Sequence, residues 1–210
     1  MGETGSVSSI RTATEQEQYL LKSQYALSIV EAKCKIINEE LRMKYGREIT
    51  RSITQRIKTP ESIYAKLVRK NLDTNFKTAC DKLNDLLGIR IVCLFVDDVY
   101  EIARLLKQQK DVKVIKEKDY IANPKKNGYM SLHLIIEIPI YFDENCEKRR
   151  VEVQVRTATM DCWSILDYQL CYKKNMADAV GIIERLKSHS DTIAAIDREM
   201  LTIRNEIEKI

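Results

Sequence analysis

Apolar residues recur at steps of three, four and seven near both ends of the chain. The first repeat predicts a helix from about Glu15 to Tyr45, ending at Gly46, and the second predicts a helix over 177–210. Each helix carries a narrow apolar seam that fits packing on its own core and a subunit interface equally well. The seam residues are Leu20, Leu27, Val30, Cys34, Ile37 and Leu41 in the first helix, and Leu186, Ile193, Ile196, Met200, Ile203 and Ile207 in the second.

Between these two helices the pattern alternates between helix and strand. Thr59 and Pro60 are typical of an N-cap and a first helical turn, and Gly88 precedes an apolar run suited to a buried strand. The predicted elements are, in order, helices over 59–71 and 75–86, a buried strand over 89–96, a helix capped by Asp97, and a short strand over 112–115.

Two strands of strict alternation follow, Met130–Tyr141 and Arg149–Arg156, joined by a polar loop over Phe142–Lys148. If they pair as a hairpin with their apolar faces together, their polar residues share the opposite surface. That surface is either an ordinary solvated face or the floor of a cleft partly covered by the helix expected from Thr157. Its polar members are His133, Glu152, Gln154 and Arg156.

The order of these elements predicts an α/β domain in which helices flank a mixed sheet. We expect a disordered tail over residues 1–14 and a single domain over 15–210, with its core at about 50–175. The composition limits the classes of function. The 210 residues include 35 Lys and Arg against 31 Asp and Glu, so the net charge of +4 requires any basic site to be local.

Two histidines argue against a multi-histidine metal centre, although a single histidine could still serve a site. The six cysteines show no C-x-x-C spacing, which favours reduced thiols in the cytoplasm over a zinc site. No apolar run approaches the ~20 residues of a membrane span, so we expect no membrane association.

Basic residues cluster between Arg56 and Lys70, with Glu61 as the only acid among them. Ser62, Lys66 and Arg69 follow at steps of four and three, which places them on one helix face. Such a face beside a helix N-terminus suits a polyphosphate, and the alternative is a solvated basic helix.

Two further features carry candidate chemistry. Asp85 and Glu152 lie at the ends of central strands and would suit Mg²⁺, which proteins hold with one or two carboxylates plus substrate phosphates. The segment Asn123–Tyr129 contains an Asn-Gly turn, and Tyr129 leaves it where an aromatic ring could stack on a nucleobase. The alternatives are isolated surface acids and a plain hairpin turn.

Four stretches occur in the order seen in the synthetase domain of the RelA/SpoT family, and the chain specifically resembles the small alarmone synthetases. They are RIKTPESIYAK at 56–66, DLLGIR at 85–90, KKNGYMSLH at 125–133 and VEVQVRT at 151–157. The resemblance implies a nucleotidyltransferase-like mixed sheet with long terminal helices. It also implies transfer of the β,γ-pyrophosphate of ATP to the 3′-hydroxyl of GDP or GTP, with GMP as a further acceptor, releasing AMP.

The same resemblance assigns roles to individual residues. Asp85 and Glu152 would hold Mg²⁺, and Glu152 would also take the proton of the 3′-hydroxyl. The implied ATP-binding residues are Arg56, Lys58, Ser62, Lys66, Arg69 and Arg90, the last of which stacks on adenine. The implied acceptor-binding residues are Lys118, Lys125, Asn127, Tyr129, His133 and Gln154, with Tyr129 stacking on guanine. The position of Asp161, just beyond the strand end at Thr157, gives a separate prediction that its side chain accepts the N1–H and N2–H₂ donors of guanine.

The resemblance also favours a homotetramer and an enzyme without the hydrolase domain of the long family members, for which the chain has no room. Two positions depart from the family pattern, namely Met130, often basic or polar in relatives, and Asp167-Tyr168, often Glu-His. The alternatives are a catalytically weak nucleotide- or RNA-binding regulator and a synthetase that uses adenosine acceptors. The sequence does not rank GMP, GDP and GTP, and it leaves regulation by an alarmone or by single-stranded RNA open.

Overall fold

The fold is known from a computed structural model, which describes residues 7–142, 145–171 and 180–210. The helices of the described chain are α1 (Val7–Thr14), α2 (Glu17–Tyr45), α3 (Pro60–Arg69), α4 (Phe76–Lys82), α5 (Val96–Lys107), α6 (Ala158–Cys171) and α7 (Val180–Ile207). The strands are β1 (Thr50–Ile57), β2 (Leu87–Cys93), β3 (Lys113–Asp119), β4 (Leu132–Phe142) and β5 (Asn145–Thr157).

The described strands form one sheet in the order β1-β2-β5-β4-β3. Strands β2 and β5 pair in parallel at the centre, and the other neighbours pair antiparallel. The predicted mixed-sheet α/β fold with flanking helices is therefore confirmed. The predicted hairpin is also confirmed, because His133 lies opposite Gln154 and the apolar Leu134 lies opposite Val153.

The main core lies between one face of the sheet and helices α2 and α5. The seam of α2 is buried there, and Val30 and Ile37, for example, are at most 1% exposed. The alternative of packing on its own core is thus correct for most of the N-terminal seam. Helix α5 adds Val99, Ile102 and Leu106 to the same core, since these positions follow the helical repeat.

A smaller core cluster holds α1, α3 and α4 together. Ile10 of α1 is fully buried with Ile63 and Leu67 of α3. The expected disordered tail over residues 1–14 is therefore wrong for Val7–Thr14, because one large apolar residue anchors this short helix. Residues 1–6 lie outside the described residues.

Helix α7 differs from α2 although its apolar rhythm is the same. Ile196, Met200, Ile203 and Ile207 are each at least 40% exposed, so most of this seam does not pack on the described core. Helix α7 is instead held to its own chain by polar contacts, one of which joins Arg204 to Asp97 at 2.7 Å.

Several element boundaries correct the sequence prediction. Strand β1 was not foreseen, α4 ends at Lys82 instead of 86, and α5 begins at Val96 with Asp97 inside its first turn. Strand β3 extends beyond the predicted 112–115, and Gly88 lies within β2.

The hairpin also corrects the prediction of a polar loop over Phe142–Lys148. The ladder continues to the pair Phe142 and Asn145, because polar side chains at a solvent-exposed hairpin end do not interrupt backbone pairing. Residues 143 and 144 lie outside the described part of the chain.

None of the six cysteines, all of which the structure describes, forms a disulfide bond. Among the described helices, none combines the length and apolar character needed to cross a bilayer.

We predict that Ile37→Ala lowers the free energy of unfolding by about 2–5 kcal/mol, because it leaves a cavity in the main core. Ile36→Ala is the matched control on the same helix. Ile36 is 60% exposed and Ile37 is 1% exposed, so the control should lose less than about 1 kcal/mol. Urea unfolding of both variants measures the difference, and equal losses would contradict the burial of the α2 seam.

Candidate active site

A cleft of about 980 Å³ lies over the polar face of the sheet, between α3 and α6. Gln154 and Arg156 of the hairpin's polar face line this cleft. Of the two possibilities raised by the sequence, a solvated face and a cleft floor, the second is therefore correct. Six cations line this cleft together with the carboxylates of Asp85 and Glu61. The cations are Arg56, Lys58, Lys66, Arg69, Arg90 and Arg156. This excess of positive charge favours a polyanionic ligand.

Asp85 lies just before β2 and is 6% exposed. Its Oδ2 accepts hydrogen bonds from the Nζ atoms of Lys58 at 2.9 Å and Lys66 at 2.6 Å. Burial raises the pKa of Asp85, but the two ammonium groups outweigh it and bring the pKa below its ordinary value. The carboxylate is thus kept ionised at neutral pH.

Two elements deliver these lysines. Lys58 directly follows β1, and its backbone N–H donates to the Leu86 carbonyl, which holds it beside Asp85. Lys66 lies on α3, whose start is fixed because the Thr59 side chain accepts from the Ser62 N–H, as the cap prediction required.

Glu152 lies on β5 in register with Gly88 of β2. Its Oε1 is 3.3 Å from His133 Nδ1, and its Oε2 accepts from Gln154 Nε2 at 2.8 Å. Burial raises the pKa of Glu152, whereas the contacts with His133 and Gln154 lower it, and the net pKa lies below its ordinary value. Glu152 is therefore a second ionised carboxylate, bonded to Gln154, which lines the cleft from the same face of β5.

The absence of a side chain at Gly88 leaves room for the Arg56 side chain. That side chain packs directly over Gly88, and a Cβ added there would lie 3.2 Å from Arg56 Nε. A smaller hollow of about 160 Å³ is bounded here by Arg56, Arg90 and Gln154. Two guanidinium groups thus flank a narrow space next to the main cleft.

The residues present fit a hard divalent cation. Asp85 Oδ1 is buried without a protein partner, and the negative charge of Asp85 raises the pKa of Glu152, although other contacts outweigh this effect. Within the described residues no group of three or more His, Cys, Asp or Glu side chains could form a metal cage. A two-carboxylate site of this kind suits Mg²⁺, whose remaining ligands come from water and phosphates.

A chain of polar contacts runs from Tyr129 to the floor. Tyr129 Oη is 2.8 Å from His133 Nε2, and His133 Nδ1 is the atom that faces Glu152. The Lys125 Nζ lies 4.5 Å from the centroid of the Tyr129 ring. Lys118 lies opposite His133 on the neighbouring edge strand β3 and is exposed.

The two departures from the family pattern lie next to Tyr129 and on α6. Asn127 Nδ2 donates to Asp167 Oδ2 of α6 at 3.2 Å, so Asp167 supports this turn from the side. Tyr168 lines the cleft. Met130 is 4% exposed and packs inside, so its side chain does not present a polar group to the cleft.

Asp161, predicted to contact guanine, is paired with arginines in the structure. Its Oδ1 is 3.1 Å from Arg156 Nε and 3.7 Å from Arg90 NH1. Arg156 is 2% exposed, and burial lowers its pKa. The sequence places Arg156 on the polar face but assigns it no role. The feature that could have indicated one is a charged residue on a central strand.

The structure brings most predicted site residues to one place. All six predicted ATP-binding residues line the cleft, and so do Tyr129 and Gln154 of the acceptor set. His133 joins them through its contact with Glu152. The cleft lining does not include Lys118, which lies on β3, or Lys125, whose Nζ lies over the Tyr120 and Tyr129 rings.

The chain matches a family model described as a region found in RelA/SpoT proteins over residues 55–177. It is 36% identical over 189 residues to the GTP pyrophosphokinase YwaC of Bacillus subtilis, covering 90% of each chain. It is 30% identical over 195 residues to the GTP pyrophosphokinase YjbM of the same organism, covering 92% of this chain and 90% of that protein.

Solved structures of small alarmone synthetases share the fold of this chain. Small alarmone synthetase 1 from Bacillus subtilis, bound to its product pppGpp, aligns with a TM-score of 0.81 and 29% identity over 93% of this chain and 99% of that one. Small alarmone synthetase 2 from the same organism aligns with a TM-score of 0.79 and 35% identity over 90% of this chain and 98% of that one.

We predict a pH-dependent stability effect for Asp85→Asn. The folded-state pKa of Asp85 is depressed, so its stabilising contribution is present above the unfolded pKa, near 3.8, and is lost as the pH falls through the folded value. At pH 7 the variant should lose about 1–3 kcal/mol of unfolding free energy, and the loss should shrink as the pH falls below the unfolded pKa.

Urea unfolding at pH 7, 5 and 3 measures this loss. Asp81→Asn is the control, because it removes an exposed carboxylate from the adjacent α4. A loss for Asp85→Asn that is the same at every pH would contradict the ion pairing with Lys58 and Lys66.

Proposed function

Because the chain belongs to the RelA/SpoT family, we propose that it is a (p)ppGpp synthetase that transfers the β,γ-pyrophosphate of ATP to the 3′-hydroxyl of GDP or GTP, with GMP as a further acceptor. The observation that carries this proposal is a cleft lined by six cations and Asp85, with the second carboxylate, Glu152, bonded to the cleft-lining Gln154 on the same strand. Transfer of a group between two polyanions needs both the cations and the carboxylates. The cations would bind the phosphates, and the carboxylates would bind the metal and accept the proton.

The donor side of the cleft suits ATP. The triphosphate would be held by Arg56 at the end of β1, Lys58 just after it, and Lys66 and Arg69 on α3. Ser62 lies in the first turn of α3. Arg90 lies beside the narrow hollow over Gly88, where its guanidinium would stack on the adenine ring. Arg156, fixed against Asp161, would add a further positive charge near the transferred group.

The acceptor side suits a guanosine nucleotide. The Tyr129 ring would stack on guanine, and Lys118, Lys125 and Asn127 would surround its phosphates and ribose. Gln154 and His133 hold Glu152 in a defined orientation from both of its oxygens. Asp161, proposed to accept from guanine, would have to do so while paired with Arg156.

The proposed transfer forms one phosphorus–oxygen bond and breaks another. The acceptor 3′-oxygen forms a bond to the β-phosphorus of ATP, the bond from that phosphorus to the α-phosphate oxygen breaks, and AMP leaves. Glu152 takes the proton of the 3′-hydroxyl, for which its ionised state is required. Holding donor and acceptor in line supplies much of the rate enhancement.

Asp85 and Glu152 would hold Mg²⁺, and the unpartnered Asp85 Oδ1 supports this assignment. When bound, the ion neutralises charge on the transferred pyrophosphate.

We also propose that the chain forms a homo-oligomer, with a tetramer favoured. The exposed apolar residues of α7, including Ile196, Met200 and Ile203, support this assembly. Static light scattering of the purified chain tests it, and a monomer at micromolar concentration would contradict it.

We predict that the purified chain with Mg²⁺, ATP and GDP or GTP forms AMP and the 3′-pyrophosphorylated guanosine nucleotide. Chromatography with mass detection identifies both products, and parallel reactions with GMP and with ATP alone rank the acceptors. No AMP above a no-enzyme control with any guanosine acceptor would contradict the synthetase. Preference for ATP as acceptor would establish the adenosine alternative instead.

We predict that Glu152→Gln abolishes turnover, lowering kcat by at least about 100-fold, because the amide cannot take the 3′-hydroxyl proton. Glu147→Gln is the matched control on β5. Glu147 points to the opposite face of the strand and pairs with Lys22 of α2, away from the cleft. Initial rates of AMP formation measure both variants, and full activity of Glu152→Gln would reject the proposed base.

A further inference from the structure

Helix α7 presents a polar residue to its own domain at every seventh position. Ser190 is 1% exposed and Asp197 is 6% exposed, and Arg204 forms the ion pair with Asp97 of α5. These three residues lie on one stripe because seven residues complete nearly two helical turns. The stripe is distinct from the exposed apolar residues of the same helix.

Ser190 contacts the turn that precedes Tyr129. Its hydroxyl donates a hydrogen bond to the carbonyl of Gly128. Gly128 has a φ of +93°, and a Cβ added there would lie 2.6 Å from Ser190 Cβ and 3.1 Å from Lys187 Cα. The turn is therefore in direct contact with α7, one residue before the ring proposed to stack on guanine.

The other side of the turn is held by α6. Asn127 donates to Asp167 of α6, and the indole N–H of Trp163, also on α6, donates to the Leu186 carbonyl of α7 at 3.2 Å. The turn thus lies between two helices that are themselves joined. A displacement of α7 would move the Gly128 carbonyl relative to the sheet.

Asp197 fixes where α7 lies along the sheet. Its carboxylate accepts from the hydroxyls of Thr157 and Thr159, each at 2.6 Å. Thr157 ends β5, and its Oγ1 also accepts from the Met160 N–H at the start of α6. The middle of α7 is therefore joined to the strand that carries Glu152.

We propose that Ser190 is a positioning residue for the guanosine acceptor, acting through the Gly128 carbonyl on the orientation of Tyr129. Asp197 sets the position of α7 from which Ser190 acts. This inference rests on the proposed synthetase function, because it assigns the turn to the acceptor side of that site.

The physical reason is pre-organisation. Gly128 is buried, so its carbonyl loses a strong donor when the Ser190 hydroxyl is removed, and the turn then occupies other conformations. The apparent affinity for the acceptor falls by the fraction of chains in which Tyr129 is correctly placed. The ATP-binding residues lie on β1, α3 and β2, so the affinity for ATP should not change.

The test compares Ser190→Ala with Thr192→Ala. Thr192 lies two residues away on the exposed side of α7, and its hydroxyl bonds only to the Ser188 carbonyl within the helix. We predict that Ser190→Ala raises the KM for GDP by about five- to tenfold, the equivalent of one hydrogen bond. The KM for ATP should stay within about twofold, and the control should leave both values unchanged.

An unchanged KM for GDP, or equal rises in the KM values for GDP and ATP, would overturn the inference, since a general loss of structure affects both substrates. If Ser190→Ala does not fold, Asp197→Asn serves as the second variant and should show the same selective rise.

Calorimetric binding of GDP separates this inference from the proposed function. A wild-type chain that binds GDP without forming AMP refutes the synthetase, yet weaker GDP binding by Ser190→Ala would still support the positioning role. A wild-type chain that does not bind GDP overturns both proposals.

Discussion

The buried carboxylate of Asp85 is the constraint on which the site depends. An ionised carboxylate taken out of water is strongly unfavourable unless cations accompany it, and here Lys58 and Lys66 do so. Those two lysines come from different elements, so β1 must pair with the edge of β2 and α3 must pack at a fixed height. The smaller core cluster around Ile63 and Leu67 holds α3 there, which makes apolar packing away from the cleft a condition for its electrostatics.

The second carboxylate is held by different means. Glu152 lies on a central strand and receives hydrogen bonds from residues of its own sheet, so its position follows directly from strand register. One acid is thus kept ionised by neighbouring lysines and the other by a histidine and an amide. The first arrangement leaves an oxygen without a protein partner, and the second leaves an ionised group beside the proposed acceptor. This difference is compatible with the proposal that both carboxylates hold Mg²⁺ and that Glu152 also takes the proton of the 3′-hydroxyl.

Alternating hydrophobicity predicted the hairpin and its polar face, because strand period and one-sided burial are both written in the sequence. Strand β1 is not predicted by this pattern, because the mostly polar sequence of this edge strand carries no such alternation. Helix α1 is not predicted either, because a single residue, Ile10, anchors it. Periodicity also predicts the same apolar seam for α2 and α7. It does not predict which part of the protein packs against each seam. The pairing of Asp161 with Arg156 and the contact of Ser190 with Gly128 depend on tertiary placement, which no local pattern reports.

The contact between Gly128 and Ser190 has a consequence for how such chains can diverge. With less than a methyl group's space between the turn and α7, a larger residue at Gly128 requires a smaller one at Ser190 or a shift of the whole helix. The C-terminal helix and the 125–129 turn are therefore one packing unit despite their separation in the chain. Chimaeras that exchange the helix between relatives while keeping the resident turn would have to preserve this fit at both partners.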